Sequence, residues 1–119
     1  LVKNLGSEKY LNLIKNVDMV IGNSSSGIIE VPSFGVPTIN IGSRQKGRLQ
    51  AKSVIDAKED IKSIEDAIKQ GMTKEFIQVS KTCINPYGRG NTAKRIASTI
   101  EKFNLKGIIM KSFYDLDNK

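Results

Sequence analysis

The sequence predicts an α/β domain with a mainly parallel sheet flanked by helices. Three observations carry that expectation. Short apolar runs at Asp18–Ile21 and Pro37–Ile41, with a weaker one at Ser53–Asp56, have the length and β-branched content of buried strands. Segments with apolar residues at helical spacing alternate with them. The resulting order, helix–strand–helix–strand–strand–helix, is that of a domain whose strands run parallel. The chain's 119 residues suffice for one compact domain with one core.

Each element has a local reason. Gly6 and Ser7 mark a turn, with Ser7 as N-cap and Glu8 in the first turn, where the helix dipole favours an acid. Tyr10, Leu11, Leu13 and Ile14 then recur at helical spacing, predicting a helix over 8–16. After the first strand, a helix over 26–34 carries Ile28, Ile29, Val31 and Phe34 inward. Pro32 lacks an N–H and clashes with the preceding turn, so this helix is expected to be short and bent, ending at Gly35 as its C′ residue. A polar, glycine-containing loop over 42–51 follows the second strand. Ile61, Ile64, Ala67 and Ile68 predict a helix over 60–71, and a shorter one runs from Lys74 to Lys81. Asn85-Pro86-Tyr87-Gly88-Arg89-Gly90 is dense in turn formers. Asn91 or Thr92 caps a last helix to Asn104, with Ala93, Ile96, Ala97, Ile100 and Phe103 on one face. The tail from 105 to 119 has no clear period. Ile108, Ile109, Met110, Phe113 and Tyr114 make it apolar enough to pack on residues 1–104 or on a domain outside this chain. The start at Leu1 reads as that of a fragment or processed piece, incomplete at its N-terminal side.

Composition narrows the function classes. The single cysteine, Cys83, rules out a disulfide within the chain and points to a reducing compartment, the cytoplasm. There is no histidine, the commonest general base and zinc ligand, and no metal or other cofactor is expected. The net charge of +7 favours anionic partners, but no aromatic residues interleave with the basic ones to stack bases, so nucleic acid is not the expected partner. No apolar run approaches the roughly 20 residues of a membrane span.

Chemistry concentrates after the first two strands. Asn23-Ser24-Ser25-Ser26-Gly27 joins an apolar run to a helix-compatible one, the way a strand–turn–helix unit presents backbone N–H groups to an anion. Gly27 would let a ligand approach the backbone and the serine hydroxyls would donate to its oxygens; a plain N-cap explains the same serines without a ligand. Glu30 either complements the helix dipole or accepts hydrogen bonds from a sugar diol. A carboxylate repels phosphate, so the second role needs it one helical turn from any phosphate. Arg44 and Arg48 lie on the loop Gly42-Ser43-Arg44-Gln45-Lys46-Gly47-Arg48, and their planar guanidiniums suit phosphate oxygens unless they are simply solvated. Ligands of parallel sheets bind outside the carboxyl ends of the strands, where both loops would lie. The economical reading is a phosphate- and hydroxyl-bearing ligand, such as a nucleotide. Neither G-x-x-x-x-G-K-[ST] nor G-x-G-x-x-G is present.

The run G-N-S-S-S-G-I-I-E-V-P-S-F-G-V-P-T-I-N-I-G-S-R-Q-K-G-R, followed by N-P-Y-G-R-G-N, resembles the C-terminal part of hydrolysing UDP-N-acetylglucosamine 2-epimerases of sialic- and legionaminic-acid synthesis, over about residues 3–104. The non-hydrolysing relatives carry S-G-G-I-Q-E-E and R-x-x-T-E-R-P-E instead. The resemblance implies two Rossmann-like domains of glycosyltransferase-B type with the active site between them, this chain being the last portion of the second, nucleotide-binding one. It implies an enzyme that takes the C2 proton of UDP-N-acetylglucosamine or a related diacetamido sugar, eliminates UDP to a glycal and adds water with inversion at C2. It matches Ser24 and Ser25 to the UDP phosphates with Ser26 and Gly27 beside them, Glu30 to the ribose hydroxyls, Arg44 to the nucleotide site, and Lys3, Asn4 and Leu5 to a loop near the uracil. The acid/base carboxylates and the histidine belong to upstream segments, so no catalytic residue is assigned here and the chain alone is expected to be inactive. Arg89 stands where many relatives have an acid. The implied partners are the UDP-sugar, UDP and further copies in a homo-oligomer. A UDP-sugar glycosyltransferase and a non-catalytic module binding an acidic partner are the competing readings.

Overall fold

The computed structural model describes residues 2–88 and 90–110; Arg89, Phe113 and Tyr114 lie outside them. The chain forms two compact units, Leu1–Arg89 and Gly90–Lys119.

In the first unit, helix α1 spans Ser7–Ile14, followed by strand β1 (Val20–Gly22), helix α2 (Ser26–Ile29), a 3-10 turn (Val31–Phe34), strands β2 (Thr38–Ile41) and β3 (Val54–Ala57), and helices α3 (Ile61–Gly71) and α4 (Lys74–Thr82). The three strands form a parallel sheet in the order β1-β2-β3, with Ile21 opposite Ile39 and Ile39 opposite Ile55. The α/β class and the parallel sheet are as expected from the sequence. Central β2 is buried from Thr38 to Asn40: Ile39 packs in an apolar cluster, and the two polar residues are satisfied, Thr38 Oγ1 donating to the Gly27 carbonyl and Asn40 Nδ2 to Asp56 Oδ1. Successive strand residues face opposite ways, and Met19 and Val20 accordingly join different apolar clusters. One cluster gathers Val20 with Ile14 of α1 and with Val31 and Val36. The other gathers Met19 with Ile39, Ala57 and Ala67 of α3.

Pro32 breaks the helix after β1 as anticipated. Ser33 donates its N–H to the Glu30 carbonyl (3.0 Å), the tighter 3-10 pattern, and the chain turns out at Gly35 with φ 68°. The Ile29 carbonyl, left without its helical donor, accepts from Asn85 Nδ2 at 2.8 Å. The same nitrogen reaches Ser33 Oγ (2.7 Å), and Asn85 Oδ1 accepts from the Tyr87 N–H (2.9 Å). Asn85 is buried, so the turn-former cluster is a structural clasp.

Two local expectations need correction. Ser7 is the first residue of α1, not its cap; Gly6 holds the cap position at φ 70°, and Asn4 Oδ1 accepts the Gly6 N–H at 2.8 Å. A positive φ favours glycine there, which moves the boundary by one residue. Ile61 does not share the buried face of α3 and is 79% exposed. It follows the Asp60 cap, whose carboxylate accepts the Ser63 N–H at 2.8 Å, and the packed stripe begins at Ile64. Cys83 is half-buried, its thiol donating to the Ser80 carbonyl.

The second unit contains helix α5 (Thr92–Lys102), with Asn91 in the left-handed region at its start. Among the described residues its apolar stripe is uncovered: Ile96, Ile100 and Phe103 are exposed, as are Ile109 and Met110.

Candidate functional site

Parallel pairing sends the ends of β1, β2 and β3 to one edge of the sheet. The turn leaving β1 closes on itself. Gly27 donates to the Ser24 carbonyl (3.2 Å), Ile28 and Ile29 donate to Ser25 (3.0 and 2.9 Å), and Ser26 N–H reaches Ser24 Oγ (3.3 Å). The N–H groups of Ser24 and Ser25 have no partner among the described residues.

The loop leaving β2 folds back onto that turn. Arg44 Nη1 and Gln45 Nε2 both donate to the Asn23 carbonyl, at 3.2 and 2.8 Å. The two loops that the sequence placed on one edge thus meet, and Arg44 stands beside the serine turn. Arg44 is exposed and has no carboxylate partner among the described residues; Gln45 is 3% exposed.

Glu30 follows α2 and is exposed. Ser26 Oγ donates to Glu30 Oε2 at 2.5 Å, and Tyr10 OH of α1 lies 2.6 Å from the same Ser26 Oγ. Residues 26 and 30, four apart, face the same way, which sets the carboxylate one turn from the serine-rich end.

Three sequence readings take a different form here. Gly27 is buried and faces Thr38, not an open approach path. A Cβ on it would stand 2.8 Å from Thr38 Cγ2, and Thr38 Oγ1 donates to the Gly27 carbonyl at 2.9 Å. Its lack of a side chain seats α2 on β2. Asn4 and Leu5 make no hydrogen bond to the Ser24–Glu30 segment or to Arg44 among the described residues; Asn4 instead shapes the entry to α1. The two arginines also part company. Arg44 turns toward Asn23, while Arg48 lines a separate cleft of about 820 Å³ with Asn40, Ser43, Gln50, Asp56 and Lys58. There Asp56 Oδ1 accepts from Asn40 Nδ2 (2.7 Å) and Gln50 Nε2 (3.1 Å). Loop 42–48 is the wall between turn and cleft.

Sequence reading missed Tyr10, placed only on the apolar spacing of the first helix, and Gln45, to which it gave no role. A polar tip on an otherwise apolar helix face was the available signal for Tyr10; Gln45 had none. Among the described residues no group of three or more acidic, cysteine or histidine side chains is placed to hold a metal.

Comparison with known proteins gives the arrangement its relatives. The sequence model of a family described as UDP-N-acetylglucosamine 2-epimerase matches residues 1–101. The chain is 46% identical over 117 residues to a GDP/UDP-N,N′-diacetylbacillosamine 2-epimerase (hydrolyzing) of Campylobacter jejuni, covering 98% of this chain and 30% of that protein. It is 43% identical over 114 residues to polysialic acid biosynthesis protein P7 of Escherichia coli, covering 95% and 29%. A solved structure of a Listeria monocytogenes protein assigned as a UDP-N-acetylglucosamine 2-epimerase superposes with a TM-score of 0.70 at 21% identity, covering 95% of this chain and 30% of that one, which supports the fold. The chain spans about 30% of the length of these relatives. With 101 of its 119 residues matched by the one family model, the chain belongs to the UDP-N-acetylglucosamine 2-epimerase family.

Proposed function

We propose that this chain is the UDP-binding portion of a hydrolysing UDP-sugar 2-epimerase. The substrate is UDP-N-acetylglucosamine or a related diacetamido UDP-sugar. The full-length enzyme removes the C2 proton, expels UDP to leave a glycal, and adds water with inversion at C2, releasing a free sugar of the N-acetylmannosamine type. Residues of this chain hold the leaving group. The Ser24 and Ser25 hydroxyls and N–H groups face the diphosphate, with Ser26 and Gly27 shaping the turn beneath it. Arg44 supplies a guanidinium to its oxygens. Glu30, one turn away, accepts from the ribose hydroxyls, and the Asn4–Leu5 segment flanks the uracil. The groups that move protons come from the rest of the polypeptide, which works in the cytoplasm as a homo-oligomer.

The observation that supports this reading is the double clasp on the Asn23 carbonyl, which brings an arginine with no carboxylate partner among the described residues beside a serine turn whose Ser24 and Ser25 N–H groups have no partner among them either. The test is calorimetric titration of UDP into the full-length gene product. Glu30→Ala and Arg44→Ala should each weaken binding about tenfold or more, since a charged hydrogen bond contributes roughly 1.5–3 kcal/mol. Affinity unchanged in both variants would remove the site. Turnover in heavy water should place deuterium at C2 of the released sugar, which a glycosyltransferase would not do.

A further inference from the structure

We propose that Tyr10 is a positioning residue for ribose recognition, acting through Ser26 on Glu30. The inference rests on the reading of Glu30 as the acceptor of the ribose diol, and extends it to a residue on another helix.

The proton count fixes the direction of the chain of hydrogen bonds. Ser26 has one hydroxyl proton. An ionised Glu30 only accepts, so Ser26 must give that proton to Glu30 Oε2, at 2.5 Å. The 2.6 Å contact between Tyr10 OH and Ser26 Oγ is then satisfied only with Tyr10 as donor. The relay therefore runs from phenol to serine hydroxyl to carboxylate, each bond polarising the next. Reversing it would set the serine lone pairs against the carboxylate.

The source of the relay is fixed by packing. The Tyr10 ring lies against the cluster of Ile14, Val31 and Val36, so its hydroxyl is delivered from a held ring. The receiving end is otherwise loose, because Glu30 is an exposed side chain with several rotamers. Ser26 occupies one lone pair of Oε2. Enough acceptor capacity remains on the two carboxylate oxygens for the two hydroxyls of a cis-diol. Preorganising the carboxylate in this way lowers the ordering cost that binding would otherwise meet.

The test uses the full-length gene product, with UDP and 2′,3′-dideoxy-UDP as paired probes in calorimetry. The ratio of their affinities reports diol recognition alone. Tyr10→Phe keeps the ring and deletes the donor; it should weaken UDP three- to tenfold and leave dideoxy-UDP unchanged. Combined with Glu30→Gln it should add no further loss. Ser26→Ala, which cuts the relay at its middle, should lower the same ratio and serves if the tyrosine variant folds poorly. Equal weakening of both nucleotides by Tyr10→Phe, or no change in either, overturns the relay while leaving Glu30 in place. A ratio unmoved by Glu30→Ala overturns the Glu30 reading and this inference with it, so the two failures are distinguishable.

Discussion

Two connections leave the same edge of the sheet, and they are held by different physics. The turn after β1 is fixed largely by bonds between neighbours, the N–H groups of residues 26 to 29 all donating to Ser24 or Ser25. The loop after β2 has its own small turns, from Lys46 to Ser43 and from Arg48 to Gln45, but its seat is set elsewhere. It rests on two side chains that cross 21 and 22 positions of sequence to one carbonyl. The first connection is part of the core and the second is docked onto it. Damage to the first should appear as lost stability, and damage to the second as lost binding with the fold intact.

The largest effect is expected where the first connection meets the sheet. Gly27→Ala would place a methyl 2.8 Å from Thr38 Cγ2, between two buried residues. Overpacking of this kind should cost about 2–3 kcal/mol in chemical denaturation. Adding Thr38→Ser removes the offending methyl and keeps the hydroxyl that bonds the Gly27 carbonyl, so it should restore part of the loss. Failure of that rescue would mean that Gly27 serves the turn's backbone shape and not its seating.

A smaller effect tests whether the first connection is as local as its backbone bonds suggest. Asn85→Ala would leave the Ile29 carbonyl and Ser33 Oγ without their shared donor, 56 and 52 positions away. A loss of about 1–2 kcal/mol is expected in the same measurement. An unchanged midpoint would show that the break at Pro32 is sustained without outside help.

The contrast also explains what could be read from the sequence. Strands, helix spacing and the bend at Pro32 are local consequences of side-chain type, and they appear where the pattern put them except at Ile61, which lies off the packed stripe of α3. The cap of α1 slipped by one residue because Gly6, with its positive φ, competes with Ser7 for that position. Ser24 to Ser26, Glu30 and Arg44 were legible as one neighbourhood because parallel strands share an edge. Tyr10, Gln45 and Asn85 were not, since each acts across 16 or more residues and no periodicity records such a bond. Likewise α3 and α5 both carry apolar stripes at helical spacing, yet among the described residues that of α3 is packed while Ile96, Ile100 and Phe103 of α5 are exposed. A stripe states that a helix is amphipathic and leaves its partner unnamed.

The smallest effect on stability should come from the docked loop. Gln45 donates to the Asn23 carbonyl at 2.8 Å, but its own Oε1 is buried without a partner among the described residues. The oxygen without a partner offsets part of what the donated bond contributes, so Gln45→Ala should change the unfolding free energy by under about 1 kcal/mol. UDP affinity of the full-length product should nevertheless fall several-fold, because Arg44 keeps only its longer, exposed bond to the same carbonyl and its guanidinium is less well aimed. Gln45→Glu sharpens the point. It replaces the donor with an acceptor facing a carbonyl and adds a negative charge near the proposed diphosphate, so it should weaken UDP more than the alanine variant does. A Gln45→Ala protein that loses stability and binding in equal proportion would place loop 42–48 in the core, and the distinction between the two connections would fall.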